Sequence, residues 1–308
     1  MSSSDLKPLT VNILAKVSKG ITVNWLKLSR EYELSEEFIT KYQDRVDWFN
    51  ISGCQRLSEE FITAHQDQVD WVNISGNQQL SEEFITKHQD RVDWQDISRC
   101  QKLSEAFIAQ HQDKVDWFNI SGCQRLSEEF ITAHQDQVDW VNISWYQKLS
   151  EEFITQHQDR VSWDFISGRQ RLSEEFIVQH RAKISWQDIS QGQQLSERFI
   201  DRYQNKIDWY LVSQCQKLSE EFIIQNQDKI NWDAVSQGQQ LSEQFIDRYQ
   251  DKVNWEYISK HQKLSEGFII NHLTQLDLDE IKAMYPEVYN RYSLDIYNEL
   301  TLNNKKPF

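Results

Sequence analysis

The chain has 308 residues, of which 39% are hydrophobic and 26% charged, and its formal net charge is -15. This apolar content is enough for a folded core and excludes a disordered chain, while the acidic balance argues against coating nucleic acid or anionic membranes. The chain has only three prolines, all near its ends, but 12 tryptophans, far more than an ordinary chain contains. Few helix breakers and many tryptophans predict a helical protein built from copies of one unit.

The sequence repeats with a period of 23 residues. A leucine followed by serine recurs at this period from Leu34 to Leu264, and tryptophan recurs from Trp25 to Trp255, with only Trp145 out of phase. Self-similarity at a fixed period is the signature of a repeat architecture. We therefore predict three parts: 1–33, an N-terminal cap with a degenerate repeat; 34–263, ten repeats; and 264–308, a degenerate eleventh repeat, a C-terminal helical cap and a loose tail from about Asn303.

Each repeat begins with signals for a helix. In residues 34–56, Ser35 is a good N-cap, and Glu36 and Glu37 follow in the first turn, where the helix dipole favours negative charge. Apolar residues at helical spacing continue to Val46, which predicts a first helix of about 11 residues.

A second helix follows after a tight corner. Asp47 is a second N-cap, and Trp48, Ile51, Ser52 and Gln55 share one face of a helix of about 6–8 residues. Six of the eight glycines fall where this helix should end, which is consistent with a C′ position. These are Gly53, Gly76, Gly122, Gly168, Gly192 and Gly238.

Helices this short are marginal alone and must be stabilised by stacking on neighbours. The predicted fold is therefore all-α: an α-solenoid, a superhelical rod of ten short helix–turn–helix repeats with N- and C-terminal caps. A single long helix disagrees with the repeated caps, and the LxxLxL pattern of a leucine-rich repeat is missing from the sequence. The expected core is Leu34, Phe38, Ile39, Val46, Trp48, Ile51 and their equivalents.

In the second half of the repeat, two polar positions do not vary through the ten repeats. The equivalents of Ser52 either allow close approach of helices or bond back to a carbonyl one turn earlier. The equivalents of Gln55 are interpreted as a structural ladder, or as a bond to exposed backbone between helices.

The sequence offers little for catalysis or metal binding. Seven histidines share one position, but neighbours in such a column are ~10 Å apart and other repeats place Tyr or Asn there, so no metal site is expected. They are His65, His88, His111, His134, His157, His180 and His272. Paired carboxylates such as Glu36-Glu37 recur along the chain and are interpreted as first-turn residues in solvent. We therefore expect neither an enzyme nor a cofactor.

Cysteine usage and the termini bear on the compartment. Cys54, Cys100, Cys123 and Cys215 share one position in different repeats. Only Cys100 and Cys123 are in adjacent repeats, and one repeat apart is too far for a disulfide, so free thiols are expected. Residues 1–10 do not resemble a signal peptide, and the sequence has no apolar run long enough to span a membrane. We expect a soluble, cytoplasmic protein.

The positions that differ between repeats are the candidate binding surface. The pair after Trp and the pair after the second-helix Ser vary most, whereas the scaffold is constant, which is typical of a repeat-based binder. Neutral drift at solvent positions is the competing interpretation. The candidate partner-binding residues are Trp145, Tyr146, Phe49, Phe118, Phe165, Tyr210 and Tyr257.

Trp145-Tyr146 is the best single anchor candidate, because this extra aromatic pair lies outside the core pattern. Tighter local packing is its alternative. Residues 44–75 and 113–144 differ only at Arg45 and Lys114, so a block of repeats has been copied, which fits selection on length or surface more than on a catalytic site.

The predicted function is a non-enzymatic protein–protein interaction scaffold, with a protein partner and without direct contact to nucleic acid or membrane. Two alternatives stay open. Repeats 57–79, 126–148 and 218–240 are the most acidic, so the array could mimic DNA and occupy a DNA-binding protein. The chain could also be a structural, self-assembling component.

The string LSEEFI…HQDKVDW…IS..QKLSEEFI resembles tandem repeats of uncharacterised proteins from giant viruses of the mimivirus kind. The resemblance covers roughly residues 34–276. It implies a viral protein in the host-cell cytoplasm, or in the virion, whose partner is a host or viral protein, and it carries no activity with it.

A rod predicts an elongated particle in solution. Small-angle scattering should give a radius of gyration well above the ~19 Å expected for a globule of this length. A value near that of the globule would contradict the rod.

Overall fold

The computed structural model describes residues 6–10, 13, 15, 17, 19 and 23–292. Apart from one isolated β-bridge between Lys7 and Tyr32, the regular structure in these residues is helical, and short helices alternate along the chain. The chain is an α-solenoid of short two-helix repeats, as the sequence predicts. It divides into two compact units, Met1–Val161 and Ser162–Phe308.

Two kinds of helix alternate. The first helices are α2 (Glu36–Lys41), α4 (Glu59–Ala64), α6 (Glu82–Lys87), α8 (Glu105–Gln110), α10 (Glu128–Ala133), α12 (Glu151–Gln156), α14 (Glu174–Gln179), α16 (Glu197–Arg202), α18 (Glu220–Gln225), α20 (Glu243–Arg248) and α22 (Glu266–Asn271). The second helices are α1 (Trp25–Glu31), α3 (Trp48–Cys54), α5 (Trp71–Asn77), α7 (Trp94–Cys100), α9 (Trp117–Cys123), α11 (Trp140–Tyr146), α13 (Trp163–Arg169), α15 (Trp186–Gly192), α17 (Trp209–Cys215), α19 (Trp232–Gly238), α21 (Trp255–His261) and α23 (Leu278–Met284). Residues 286–292 are also helical. Within each unit, consecutive second helices pack against each other in series.

The predicted caps begin the helices. The Oγ of Ser35 accepts a hydrogen bond from the N–H of Phe38 (3.2 Å), and Oδ1 of Asp47 accepts one from the N–H of Asn50 (2.9 Å). Both residues have extended backbone angles, as N-caps do. The sequence therefore located the beginning of both helices.

The first helix is shorter than predicted. It has 6 residues, and the chain then turns, with the N–H of Arg45 bonded to the carbonyl of Tyr42 (2.9 Å). A side chain stabilises this turn, because Nε1 of Trp48 donates to the carbonyl of Gln43 (3.0 Å). The apolar spacing continues through the turn to Val46, so periodicity alone overestimated the helix.

The core is built around one buried aliphatic residue from each helix, an isoleucine in most of them, and the residues around it. Ile39 and Ile51 are fully buried, and Leu34 and Val46 nearly so. The expected core residue Trp48 is only half-buried, because its ring covers the outside of the core and contacts the next repeat. Each repeat therefore contributes a small set of aliphatic side chains, which are buried only when the neighbouring repeats pack against them.

A buried glutamine joins each repeat to the one before it. Nε2 of Gln78 donates to the carbonyls of Ser52 and Gln55, both at 2.8 Å, and its Oε1 accepts the N–H of Leu57 (3.1 Å). The carbonyls at the end of one second helix, which lack helical partners, are thus satisfied by the side chain of the next repeat. Of the two sequence interpretations, the bond to exposed backbone is the one that the structure shows.

The invariant serine makes a second connection. Oγ of Ser52 donates to the carbonyl of Trp48 (2.7 Å). This is the bond to a carbonyl one turn earlier, one of the two alternatives that the sequence analysis gave for this serine. The same oxygen accepts the N–H of Asp70 in the next repeat (2.9 Å). One hydroxyl therefore fixes where the next second helix begins.

Tyrosines take over these roles at the C-terminal end. Tyr285 stands where the glutamine would be, and its hydroxyl accepts the N–H of Leu264 (2.9 Å) and donates to the carbonyl of Gln262 (3.2 Å). Arg291 and Tyr292 both bond to the carboxylate of Glu266. These contacts agree with a C-terminal cap, and the predicted loose tail from about Asn303 lies outside the described residues.

The glycines do not occupy C′ positions. The second helix ends in the glutamine, which is extended (φ -86° and ψ 155° at Gln55), because the next repeat's side chain replaces a glycine cap. The glycines lie inside the last turn. At Gly192 an added Cβ would be 2.5 Å from the carbonyl oxygen of Gly168, so glycine permits close approach between second helices.

Replacing the buried glutamine tests this account of the fold. Gln78→Leu leaves two carbonyls and one N–H without partners, at a cost of ~1–3 kcal/mol for each group, so the urea midpoint should fall sharply. Gln79→Leu, at the exposed neighbouring residue, should change the free energy of unfolding by no more than ~0.5 kcal/mol. Equal effects of the two substitutions would contradict the proposed role of Gln78.

Candidate functional site

The predicted binding residues fall at different positions of the second helix. We number each repeat from position 1 at its leucine, so that the tryptophan is at position 15. Phe49, Phe118 and Tyr210 are at position 16 and are exposed, the two phenylalanines by 64% and 63%. Phe165 and Tyr257 are at position 17 and are half-buried.

Helix geometry explains the exposure of position 16. Ile51 and Ser52, at positions 18 and 19, are fully buried and face the core. Positions 16 and 20 are one turn apart on the opposite face, so their side chains lie beside each other in solvent. Position 17 faces the preceding repeat, since Nδ2 of Asn142 donates to the carbonyl of Phe118 (3.1 Å).

The structure adds exposed apolar residues that the sequence analysis did not select. Leu26, Val72 and Val141 are all at position 16, and each is more than half exposed. Their position in the repeat was a signal that could have identified them. We use the name second-helix stripe for the exposed apolar residues of Met1–Val161 on this face: Leu26, Phe49, Val72, Phe118, Val141, Trp145 and Tyr146.

The stripe is densest around Trp145 and Tyr146. Tyr146 is 61% exposed and Trp145 36%, and their ring centroids are 5.9 Å apart. A Cβ built on Gly122 would lie 3.5 Å from Cδ2 of Tyr146, so the tyrosine ring covers the preceding repeat one turn beyond Phe118. Val141 is one turn before Trp145 on the same helix. The structure thus gathers two predicted anchors with Phe118 and Val141.

The copied block provides an internal comparison for this cluster. Residues 44–75 and 113–144 are the same except at one position, and the sequences then diverge to Gly76-Asn77 and Trp145-Tyr146. At Gly53, the counterpart of Gly122, the three atoms nearest to an added Cβ all belong to Asn73. The aromatic pair is therefore an addition to a surface that the same scaffold also forms without it.

The rest of the position-16 series is more polar. In Ser162–Phe308 the occupants are Asp164, Gln187, Tyr210, Asp233, Glu256 and Asp279. Tyr210 is the exposed aromatic residue of this series, at 49%. An apolar second-helix face is thus a property of Met1–Val161.

Charge is divided between the two kinds of helix. Residues 34–148 contain more carboxylates than basic side chains. Most of this excess lies on the first helices and the turns that follow them. Some of these are paired between repeats, as in Arg91–Asp67 and Arg160–Asp136, both at 2.8 Å. The second-helix halves are close to neutral, and the exposed residue after the glutamine is basic in four of these five repeats: Arg56, Lys102, Arg125 and Lys148.

The paired carboxylates are not simply residues in solvent, which corrects the sequence interpretation. Oε1 and Oε2 of Glu36 accept hydrogen bonds from the N–H (2.6 Å) and the hydroxyl (3.1 Å) of Ser58 in the next repeat. Glu37 is exposed. The first glutamate of the pair is therefore a structural acceptor that extends the cap of the following helix.

The histidine column packs between aromatic rings. His88 lies 5.2 Å from Trp71 of the preceding repeat and 4.5 Å from Phe84, measured between ring centroids, and its Nε2 is 3.3 Å from Oγ1 of Thr63. Tyr203 takes the same place beside Trp186 at 5.3 Å. His88, His111 and His180 are buried. This is a packing site shared by histidine and tyrosine.

Other chemistry is limited in the described part of the chain. Residues 6–10, 13, 15, 17, 19 and 23–292 contain no group of three His, Cys, Asp or Glu side chains placed to hold a metal ion. The four cysteines are free, and three are exposed. Open grooves recur between consecutive first helices, one of them lined by Glu59, Glu60, Glu83, Phe84 and Lys87. Such repeated grooves do not single out one catalytic centre.

Comparisons with protein-family models, curated proteins and solved structures find no match to this chain. None of the helices in the described residues is both long and apolar enough to cross a bilayer.

The histidines predict a dependence of stability on pH. Burial lowers the pKa of His88, His111 and His157 from the ordinary 6.5, since the charged ring is disfavoured there. The unfolded chain then binds these protons first. The stability that these three neutral histidines contribute is fully present above pH ~6.5 and is lost as the pH falls below that value.

A triple variant, His88→Tyr, His111→Tyr and His157→Tyr, uses the natural alternative residue at each position. Its melting temperature should fall less than that of the wild type between pH ~7.5 and ~5.5, where most carboxylates stay ionised. If the melting temperatures of the variant and the wild type fall by the same amount between these two pH values, other groups cause the acid sensitivity.

Proposed function

We propose that this protein is a non-enzymatic interaction scaffold that binds a protein partner through the second-helix stripe. The observation that carries the proposal is the exposure of five apolar side chains at position 16 of α1, α3, α5, α9 and α11, with Trp145 and Tyr146 exposed on α11 as well. Scattered apolar residues on a surface are ordinary, but a row at a fixed position of a repeat is a feature that binding surfaces have.

The division between scaffold and surface supports this proposal. The glutamine, the serine and the first glutamate of each repeat bond to the neighbouring repeat. The side chains at positions 16, 20 and 21 take no part in these bonds, so they can vary without loss of this network, except where Gly192 and Gly238 allow close approach of the preceding repeat. A surface that can change independently of its support is suited to recognition.

The Trp145-Tyr146 pair is the proposed energetic centre. Tryptophan and tyrosine are enriched among residues that contribute ~2 kcal/mol or more to binding, and they act best in the middle of an apolar area. Here they lie beside Phe118 and Val141. The resemblance to repeats of giant viruses is the basis for proposing a host or viral protein as partner, in the host-cell cytoplasm or the virion.

The experiment is a capture assay with a matched variant. Trp145→Gly with Tyr146→Asn converts this surface into that of the copied block, which has Gly76 and Asn77 at the same positions. A partner bound by the wild type from host-cell lysate should be lost, or bound at least about tenfold more weakly, with unchanged circular dichroism.

Two results would count against the proposal. Retention of every captured partner by the double variant would mean that the stripe is not the binding surface. Capture of DNA-binding proteins alone, weakened by salt and by competing DNA, would instead support an acidic mimic. Tyr210→Gln is the control, because glutamine occupies the same position at Gln95 and Gln187.

A further inference from the structure

We infer that the second-helix stripe binds an amphipathic α-helix with acidic flanks. This rests on the proposed function, in which the stripe is the binding surface. It adds the structural class of the partner's element, the spacing of its apolar residues and the sign of its charge.

The first argument is the packing of the helices. In Met1–Val161 the closest helix pairs are consecutive second helices, α1 with α3 and so on to α9 with α11. The first helices are not as closely spaced, so the second-helix side is the inner side of the local stack. Such an inner face accommodates a single helix lying along it better than it accommodates the same face of a second copy of this chain.

The second argument is spacing. Packed helices are 8–10 Å apart, so position 16 recurs at roughly that interval along the stack. In an α-helix, residues seven apart are separated by about 10.5 Å along the axis. A helix lying along the stripe therefore presents one apolar residue per heptad to each repeat, which is the helix-in-groove mode of recognition.

The third argument is charge. The second-helix halves are near neutral, and the exposed residues Arg125 and Lys148 follow directly after the glutamines that end α9 and α11. Both are therefore at the same end of these helices as Trp145 and Tyr146. Carboxylates on the flank of the bound helix complement these cations, whereas lysines there would be repelled.

The exposed area is sufficient for a specific complex. From their exposed fractions, the seven side chains of the stripe present on the order of 700 Å², close to the ~800 Å² that each partner buries in an interface of standard size. Gln95 interrupts the row between Val72 and Phe118, so a polar residue is expected in one heptad of the bound helix.

The test uses the full chain and a defined probe. The probe is a fluorescent peptide of about four heptads, with leucine at the first and fourth places and glutamate, glutamine and alanine elsewhere. One control peptide carries proline in the central heptads and cannot form a helix. A second control carries lysine in place of every glutamate.

Fluorescence anisotropy should show binding of the glutamate peptide to the wild type with a Kd on the order of micromolar. Trp145→Gly with Tyr146→Asn should weaken it at least about tenfold, and Gln187→Ala, at an exposed position 16 outside the stripe, should leave it unchanged. Arg125→Gln with Lys148→Gln should also weaken it and reduce its dependence on salt.

Several outcomes would overturn the inference. The first is that the proline peptide binds as well as the glutamate peptide. The second is that the lysine peptide binds more tightly than the glutamate peptide and loses this binding in the Trp145/Tyr146 variant. The third is that the wild type is a dimer and this variant is a monomer. If the glutamate peptide does not bind while a captured partner still depends on Trp145 and Tyr146, the helix inference fails and the proposed function stands. If neither binds through the stripe, both fail.

Discussion

The hydrogen bonds of one buried glutamine per repeat are the interaction on which the rest of this structure depends. Helices of 6 and 7 residues leave most of their terminal carbonyls and N–H groups without helical partners. Gln78 satisfies two carbonyls of the preceding repeat and one N–H at the start of its own. In the described residues every buried side-chain nitrogen and oxygen has a hydrogen-bond partner, so these bonds offset the free-energy cost of burying the polar groups.

These bonds also explain why the repeats are so uniform. Glutamine supplies two donors and one acceptor from a single planar group, and asparagine, which carries the same group, is one methylene shorter. Tyr285 shows the limit, because its hydroxyl replaces one donor and one acceptor where the array ends. A position with such strict demands stays constant, whereas position 16 contributes nothing to the network and is free to carry Phe, Val, Gln, Asp or Tyr.

Much of the fold could be predicted from the sequence because capping and period are local signals. Ser35, Asp47 and the buried isoleucines follow from the 23-residue pattern. The length of the first helix could not be predicted, because the turn after Tyr42 has the same apolar spacing as a helix. The glycines were assigned to C′ because the sequence cannot show that a glutamine from the next repeat already occupies the helix end.

The candidate site was predicted in part. Trp145 and Tyr146 were identified because they break the pattern, and Phe49 and Phe118 because they are aromatic at a variable position. Val141 was missed, since it is ordinary as a residue and notable only by its place beside Trp145. Phe165 and Tyr257 were selected by type, but position 17 faces the preceding repeat, which only the three-dimensional packing reveals.

Amide hydrogen exchange at two residues outside the helices tests the central claim most directly. The N–H of Leu103 is bonded to Oε1 of Gln124 (3.2 Å), and that of Asp116 to Oγ of Ser98 (2.9 Å). If these side-chain bonds hold the array together, both amides should be protected as strongly as those of the buried isoleucines nearby. Exchange at the rates of an open loop would contradict the account.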